Sequence, residues 1–381
     1  MRQMAHAMMA VPDHDEWARD SFITSFKSHI SVTVTPGNKV AMERRVLPAF
    51  RKEKGRDPAS RGELRKAMEK DTYHQAWGSL MRVAQEQMWD SIEGSVARQV
   101  PGLIRTAKTL KPRGSLRLAE DLVLPRYLSE IDNHCMPGSY GAEVCEDDVR
   151  AGAIYDRGAF AFHLGARGAA HDANGRVLAA FLLGTYPKLK PRRILDMGCS
   201  VGHMTTGLAN YFPDAEIHAI DIGAAMLRYA HARASALGKP IHFAQQSAEK
   251  TDYPDGHFDL IVSSNLFHET SRAAAPAILK ECCRLLRKGG VIAHMEVPVR
   301  YADMALYNQV MRGWQTYYNG EPFWDAVCST DMVALARSAG FTEASSGYVK
   351  RSADPVNDPR TFAAAPSEGN DYRWILTGTR R

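Results

Sequence analysis

The chain has 381 residues, 45% hydrophobic and 24% charged, an ordinary globular composition that excludes wholesale disorder and predicts two or three domains. No apolar run approaches the ~20 residues that span a bilayer, the first twelve residues lack a signal-peptide core, and six cysteines without a C-x-x-C pair suit neither a disulfide framework nor structural zinc, so a cytoplasmic location is expected. The net charge of +5 is uneven, with 21 Lys and Arg against 14 Asp and Glu in residues 1–120. The excess peaks between Arg44 and Lys70, but Glu53, Asp57, Glu63 and Glu69 are interleaved there, so it reads as a solvated helical face ahead of a nucleic-acid patch.

In chain order, residues 1–120 read as a helical accessory region, a lid or a dimerisation surface. Asp13 or Asp15 would cap a helix carrying Trp17, Phe22, Ile23, Phe26 and Ile30, broken at Pro36-Gly37-Asn38. Trp77, Leu80, Met81, Ala84, Met88, Ile92 and Val96 recur at helical spacing until Pro101, a stripe that marks core or interface. Residues 121–175 read as a connector and candidate active-site cover. Their Pro125–Tyr140 loop, with Tyr127, His134 and Tyr140, would either line a site or act as a rigid link.

From residue 176 to 381 helix and strand alternate. Strands are predicted at Arg193–Asp196, Glu216–Asp221, Ile241–Phe243, Phe258–Ser263 and Val291–Glu296, with helices at Val177–Leu183, Ala224–Leu237 and Ala274–Leu286 between them. The helix from Ala334 leads into a strand at Phe341, and Arg373–Thr377 closes the sheet. Repeated βα units predict an α/β, doubly wound, mainly parallel sheet with ligands outside the carboxyl ends of its strands.

The first strand runs into Asp196-Met197-Gly198-Cys199-Ser200-Val201-Gly202, where small residues let backbone approach a ligand. A carboxylate at the strand tip would face a pyrophosphate unfavourably and suits a cationic ligand instead. The Gly198-x-x-x-Gly202 spacing also differs from the dinucleotide fingerprint G-x-G-x-x-G. Asp221, 25 residues after Asp196, ends the second strand, where a carboxylate accepts ribose hydroxyls.

This run resembles the nucleotide-binding motif of class I S-adenosylmethionine-dependent methyltransferases. Further motifs follow in the family's order: Ile220-Asp221-Ile222 with Met226, Gln246-Ser247-Ala248, Leu260 to Glu269, and Leu285 to Val291. The branch most resembled is that of small-molecule, quinone-ring and sterol C-methyltransferases. The resemblance implies a seven-stranded Rossmann-like sheet and S-adenosyl-L-methionine held by Asp196, Gly198, Ser200, Gly202, Asp221, Ile222, Met226, Ser247, Ala248 and Asn265. Ser200 departs from the family's glycine, and Ser247 stands where the family often has an aspartate on the adenine amine.

The methyl of a sulfonium is already activated, so alignment with the nucleophile is the main task. His268, just after the fourth strand, is the catalytic candidate, because an imidazole would accept a proton near neutral pH; packing under the next helix is its other reading. Glu269 would orient it or, more simply, begin a helix. Tyr140, His134, Trp314 and Tyr318 are tentative substrate residues, the last two from the aromatic segment 299–328, whose helical spacing would bury Tyr307, Trp314 and Tyr318 together. No metal ligand set stands out. The expected activity is methyl transfer to a small apolar or aromatic acceptor by a homodimer. The alternatives are an RNA methyltransferase using the basic segment, or a cofactor-binding protein without methyl transfer.

Overall fold

The computed structural model describes residues 3–297, 300–351, 362 and 372–381; position 299, the start of the aromatic segment, lies outside them. Eight strands make one sheet: β1 (Gly114–Arg117), β2 (Arg193–Met197), β3 (Glu216–Asp221), β4 (Ile241–Gln245), β5 (Phe258–Ser264), β6 (Leu286–Glu296), β7 (Phe341–Lys350) and β8 (Tyr372–Arg380). Their order is β1-β4-β3-β2-β5-β6-β8-β7, and β8 runs antiparallel to both of its neighbours. The chain winds outward from β2 to one side and then returns to build the other from β5. The switch point between β2 and β5 opens the crevice in which such sheets bind ligands.

The expected seven strands are joined by β1, which lies in the region read as helical. Gly114 to Arg117 pair in parallel with Ile241 to Ala244. Four residues are too few to show a strand period, so only the exposed edge of β4 selects them. Gly114 is required there: its φ is +76°, and a Cβ would lie 2.0 Å from the carbonyl oxygen of Ile241.

Neighbouring strand residues bury opposite faces. Ile194, Leu260, Val262 and Val291 pack with the helices Ala173–Thr185 and Ala224–Ala236. Leu195, Ile261 and Ile292 pack with Ala274–Leu285 and Met332–Ser338. Continuous apolar strands of this kind belong to a sheet covered on both sides.

The accessory region forms a further layer. Trp89, Ile92 and Val96 of the helix Thr72–Ala97 share a buried cluster with Ile154 of the helix Arg150–Phe162 and with Tyr229 of Ala224–Ala236. Asp156 ties these layers together from inside: it is 1% exposed and is bonded by His6 (2.8 Å), His203 (2.7 Å) and Tyr229 (2.8 Å).

Two readings of the accessory helices change. Asp13 caps His14–His29 through a capping box with Glu16, but Trp17 and Phe22 are exposed and Ile23 and Ile30 alone of the stripe are fully buried. Pro36-Gly37-Asn38 does not break the helical path. Pro36 sits just before the helix Gly37–Ala41 with helical dihedrals, where its missing N–H costs nothing, and π-helical turns at Ile30–Val34 and Met42–Val46 bend the chain instead. Among the described residues no helix is long and apolar enough to cross a membrane.

Candidate functional site

A cavity of about 880 Å³ opens at the carboxyl ends of β2, β3 and β5. On one side it is lined by Asp196, Gly198, Ser200, Asp221, Ile222, Ser247, Ala248 and Asn265. Asp196 is 1% exposed; Thr205 donates to its Oδ2 at 2.6 Å, and its Oδ1 has no partner. Burial raises this carboxyl to about 7. Gly198 has φ +70°, and a Cβ there would press on Leu266 at 2.8 Å. Ser200 adopts the left-handed φ of 50°, held by its N–H donating to Asp221 Oδ2 at 2.8 Å, while the Gly223 N–H donates to Oδ1 at 3.0 Å. A carboxylate has about four lone-pair sites, so Asp221 retains room for hydroxyl donors.

Two more buried oxygens on this side lack partners, Ser200 Oγ and Asn265 Oδ1, and Asn265 is also left-handed at φ 61°. Native proteins rarely leave buried polar atoms unpaired, so those that line a cavity are open to bond a ligand. One unpaired carboxylate oxygen beside two polar oxygens fits a ligand bearing an ammonium and hydroxyl groups. The residues present therefore fit S-adenosylmethionine. Farther along, Ser247 Oγ accepts from the Glu249 N–H at 3.2 Å, and Gln246 Nε2 is buried without a partner.

The other side of the cavity is built by loops that meet over β5 and β6. His268 lies in the turn Phe267–Glu269, which Glu296 at the end of β6 holds with both oxygens. The Phe267 N–H donates to Oε1 at 2.8 Å, and His268 Nδ1 meets Oε2 at 2.5 Å. The Nε2 of His268 faces Glu269 at 3.6 Å and Glu321 at 3.9 Å. Burial opposes a charge on this ring, but the carboxylates of Glu296, Glu269 and Glu321 outweigh it and hold it up at about 9. The structure thus differs from the expectation of an imidazole titrating near neutrality: the three carboxylates favour the charged ring.

Glu269 does not begin a helix. His134 Nε2 meets its Oε1 at 2.7 Å, Tyr140 OH donates to the same oxygen at 3.1 Å, and Asn133 Nδ2 donates to Oε2 at 2.9 Å. His134 Nδ1 meets Glu321 at 2.9 Å. The Pro125–Tyr140 loop therefore lines the cavity with His134 and Tyr140. His134 takes a φ of 57°, fixed by Trp89 Nε1 and Gln85 Nε2 donating to its carbonyl at 2.6 Å and 2.9 Å. The accessory helix Thr72–Ala97 thus positions a residue of the cavity.

His134, Glu269 and Glu321 bring one ligand atom each within 4.8 Å of one another, as a metal ion would need. Both nitrogens of His134, however, already face carboxylate oxygens, and burial is outweighed by those two charges so that the ring titrates well above its usual value. In this structure His134 bridges the two carboxylates. His294, the other histidine near this sheet edge, bonds Ser263 at 2.8 Å in the core, and burial pushes it down to about 3.

Four expected site residues do not line the cavity. Gly202 caps the helix His203–Leu208 at φ +75° behind the loop. Met226 is fully buried in the cluster that joins the accessory helices to the sheet. Trp314 packs on Trp77 at 6.2 Å between rings, and Tyr318 is 42% exposed beside it. Helical spacing places Tyr307 toward the cavity and sends Trp314 and Tyr318 toward the helix Thr72–Ala97, so the three are not buried together. Reading along the chain missed Arg167, His171, Asn174, Glu321 and Arg373, all of which line the cavity. None carries a local motif.

The family described as "Methyltransferase domain" matches residues 194–290, which run from β2 to the start of β6. The malonyl-[acyl-carrier protein] O-methyltransferase of Halorhodospira halophila is 33% identical over 105 residues, 28% of this chain and 35% of that protein. The demethylmenaquinone methyltransferase of Thermus thermophilus is 32% identical over 108 residues, 28% of this chain and 48% of that protein. The chain thus spans between a third and a half of the length of these curated relatives. Among solved structures, phosphoethanolamine N-methyltransferase 2 of Haemonchus contortus with S-adenosyl-L-methionine aligns at a TM-score of 0.42 and 16% identity, over 59% of this chain and 57% of that one. Through residues 194–290 the chain therefore carries a domain that matches the methyltransferase-domain family.

Proposed function

We propose that the protein transfers a methyl group from S-adenosylmethionine to a small organic acceptor with an apolar or aromatic body. The observation that carries this reading is the set of three buried, unpartnered oxygens, on Asp196, Ser200 and Asn265, opening into the same cavity as His268. The cofactor supplies a methyl already activated on a sulfonium. Asp196 holds its ammonium, Asp221 its ribose, and Ile222, Ser247 and Ala248 surround its adenine. Rings of Tyr140, Tyr155, Phe162 and Trp324 wall the remaining space and exclude water from the acceptor. At neutral pH His268 orients the acceptor as a hydrogen-bond donor locked by Glu296. It acts as a proton acceptor only where its own proton is lost, near pH 9.

Residues 1–120 serve in this reading as the support of the His134 loop, residues 121–175 as the cover, and residues 176–381 as the methyl-transfer domain. The exposed rings of Trp17 and Phe22 are the proposed homodimer contact, and six free thiols suit a reducing cytoplasm. An RNA acceptor is less well supported. In the basic segment Arg45, Arg51, Arg56 and Arg65 are paired with Asp71, Asp57, Glu63 and Glu69. Calorimetry with S-adenosylhomocysteine tests the proposal: binding should raise the melting temperature by mass action. No binding at millimolar ligand, with NADH binding instead, refutes it; binding without turnover on any acceptor leaves the binding-only alternative.

A further inference from the structure

The cavity holds a second charged feature that the cofactor does not explain. Arg167, in the loop between the helices Arg150–Phe162 and Ala173–Thr185, is 7% exposed, and its Nε has no partner. Arg373, the second residue of β8, is 4% exposed; among the described residues its guanidinium reaches Asn174 Oδ1 at 3.4 Å and the carbonyl of Tyr372 at 3.2 Å. Among the described residues neither forms an ion pair with a carboxylate. Burial lowers Arg167 to about 10, and Arg373 is pushed well below its usual value by burial and by the charges of Arg167, Arg351 and Arg312. Beside them His171 is 2% exposed and leaves both ring nitrogens unpaired, although a neutral imidazole always carries one N–H.

Buried cations normally sit on a partner, because an uncompensated buried charge is costly. Arg167 and Arg373, lining one cavity without a carboxylate among the described residues, describe a site whose counter-charge arrives with a ligand. Arginine's planar fork matches carboxylate and phosphate oxygens in pairs.

The position of Arg373 sets it apart from the strand that carries Asp196, while His171 packs on His203 at 4.7 Å between rings. Arg373 starts the antiparallel β8 beside the carboxyl end of β6, where Trp374 pairs with Glu296. In the order β2-β5-β6-β8, its backbone lies three strand spacings, about 14 Å, from the strand that carries Asp196. Arg373 bonds Asn174, and Asn174 Nδ2 donates to Ser264 Oγ at 2.8 Å at the end of β5, next to Asn265 and ahead of the turn that carries His268.

We propose that the acceptor carries an anionic group, a carboxylate or a phosphate, which Arg167 and Arg373 clamp with the N–H of His171 while its apolar body lies against the rings. This deepens the methyltransferase reading and rests on it for the role of the bound anion.

The test uses the full chain saturated with S-adenosylhomocysteine and titrated by calorimetry with inorganic phosphate, benzoate, and benzamide as the uncharged match of benzoate. Phosphate or benzoate should bind about tenfold or more tightly than benzamide, the tighter of the two naming the acceptor's group. Arg167→Met and Arg373→Met should each weaken the anion about tenfold and leave the S-adenosylhomocysteine affinity unchanged. They should also raise the melting temperature of the ligand-free protein, because each removes an uncompensated buried charge, a gain no merely structural arginine would give. Should a methionine variant fail to fold, Arg373→Lys keeps the charge, loses the fork and should still weaken the anion.

Anions binding no better than benzamide, or binding unchanged in the variants, would overturn the proposal. So would a parallel loss of S-adenosylhomocysteine affinity in both variants, which would assign the arginines to the cofactor's own carboxylate. If S-adenosylhomocysteine does not bind the unmutated protein, the methyltransferase reading fails, while phosphate titrated onto the unloaded protein still decides whether the arginine site exists.

Discussion

Asp196 offers a direct test of how the cofactor is held, because its charge is linked to its ligand. Burial raises the carboxyl from 3.8 to about 7, and among the described residues Thr205 is its hydrogen-bond partner. A cationic amino group beside Oδ1 requires the ionised form, so binding must expel a proton wherever the free protein holds one. The ionised fraction is about nine-tenths at pH 8 and about one-hundredth at pH 5, so affinity should fall by about two orders of magnitude across that range. Over the same range the ligand keeps its ammonium. Calorimetry with S-adenosylhomocysteine at several pH values, in two buffers of different ionisation enthalpy, reads both quantities: Kd should climb below pH 7, and about one proton should be released at pH 6.

The sign for stability is the opposite. An acid with a raised native pKa contributes stability that is complete below 3.8 and lost as pH rises through about 7. Asp196→Asn should therefore bind the ligand weakly with no pH dependence from this group, and should melt higher than the unmutated protein when ligand-free at pH 8. A Kd that stays flat from pH 5 to 8, or proton uptake on binding, would refute the placement of the ammonium at Asp196.

Further outcomes follow from the same geometry. Asp221→Ala removes an acceptor worth about 1.5–3 kcal/mol to a charged hydrogen bond, so S-adenosylhomocysteine affinity should fall one to two orders of magnitude in a folded protein; unchanged affinity moves the ribose elsewhere. Once an acceptor is found, His268→Asn should cost about 10²-fold in turnover above pH 9, where the imidazole is free to take a proton, and much less at pH 7; equal losses at both would leave it a positioning residue alone. Asp156→Asn strips the charge from a buried carboxylate bonded to His6, His203 and Tyr229, and chemical denaturation should show a loss of about 3–5 kcal/mol. A loss under 1 kcal/mol would mean that the three partners are satisfied without it.

The sequence alone determined the features that are local in the chain. Asp196 to Gly202 and the second-strand Asp221 are legible because a strand, a tight turn and a helix start are encoded by consecutive residues, and the polar atoms they present follow from backbone geometry. The alternating helices and strands from residue 176 were equally readable, since each element carries its own period. The tertiary structure alone decided what depends on distant partners. Edge pairing on β4 turned four residues after Pro112 into β1, and packing decided that Tyr307 faces the cavity while Trp314 faces Trp77. Glu269 could be read as a helix start until a loop more than 100 residues earlier brought His134 and Tyr140 to it. The charge of His268 follows from Glu296, Glu269 and Glu321 converging on one ring, and the arginine site from a loop and a closing strand about 200 residues apart. Electrostatic energy depends on separation in space and on exclusion of water, and neither is written in the spacing of residues along the chain.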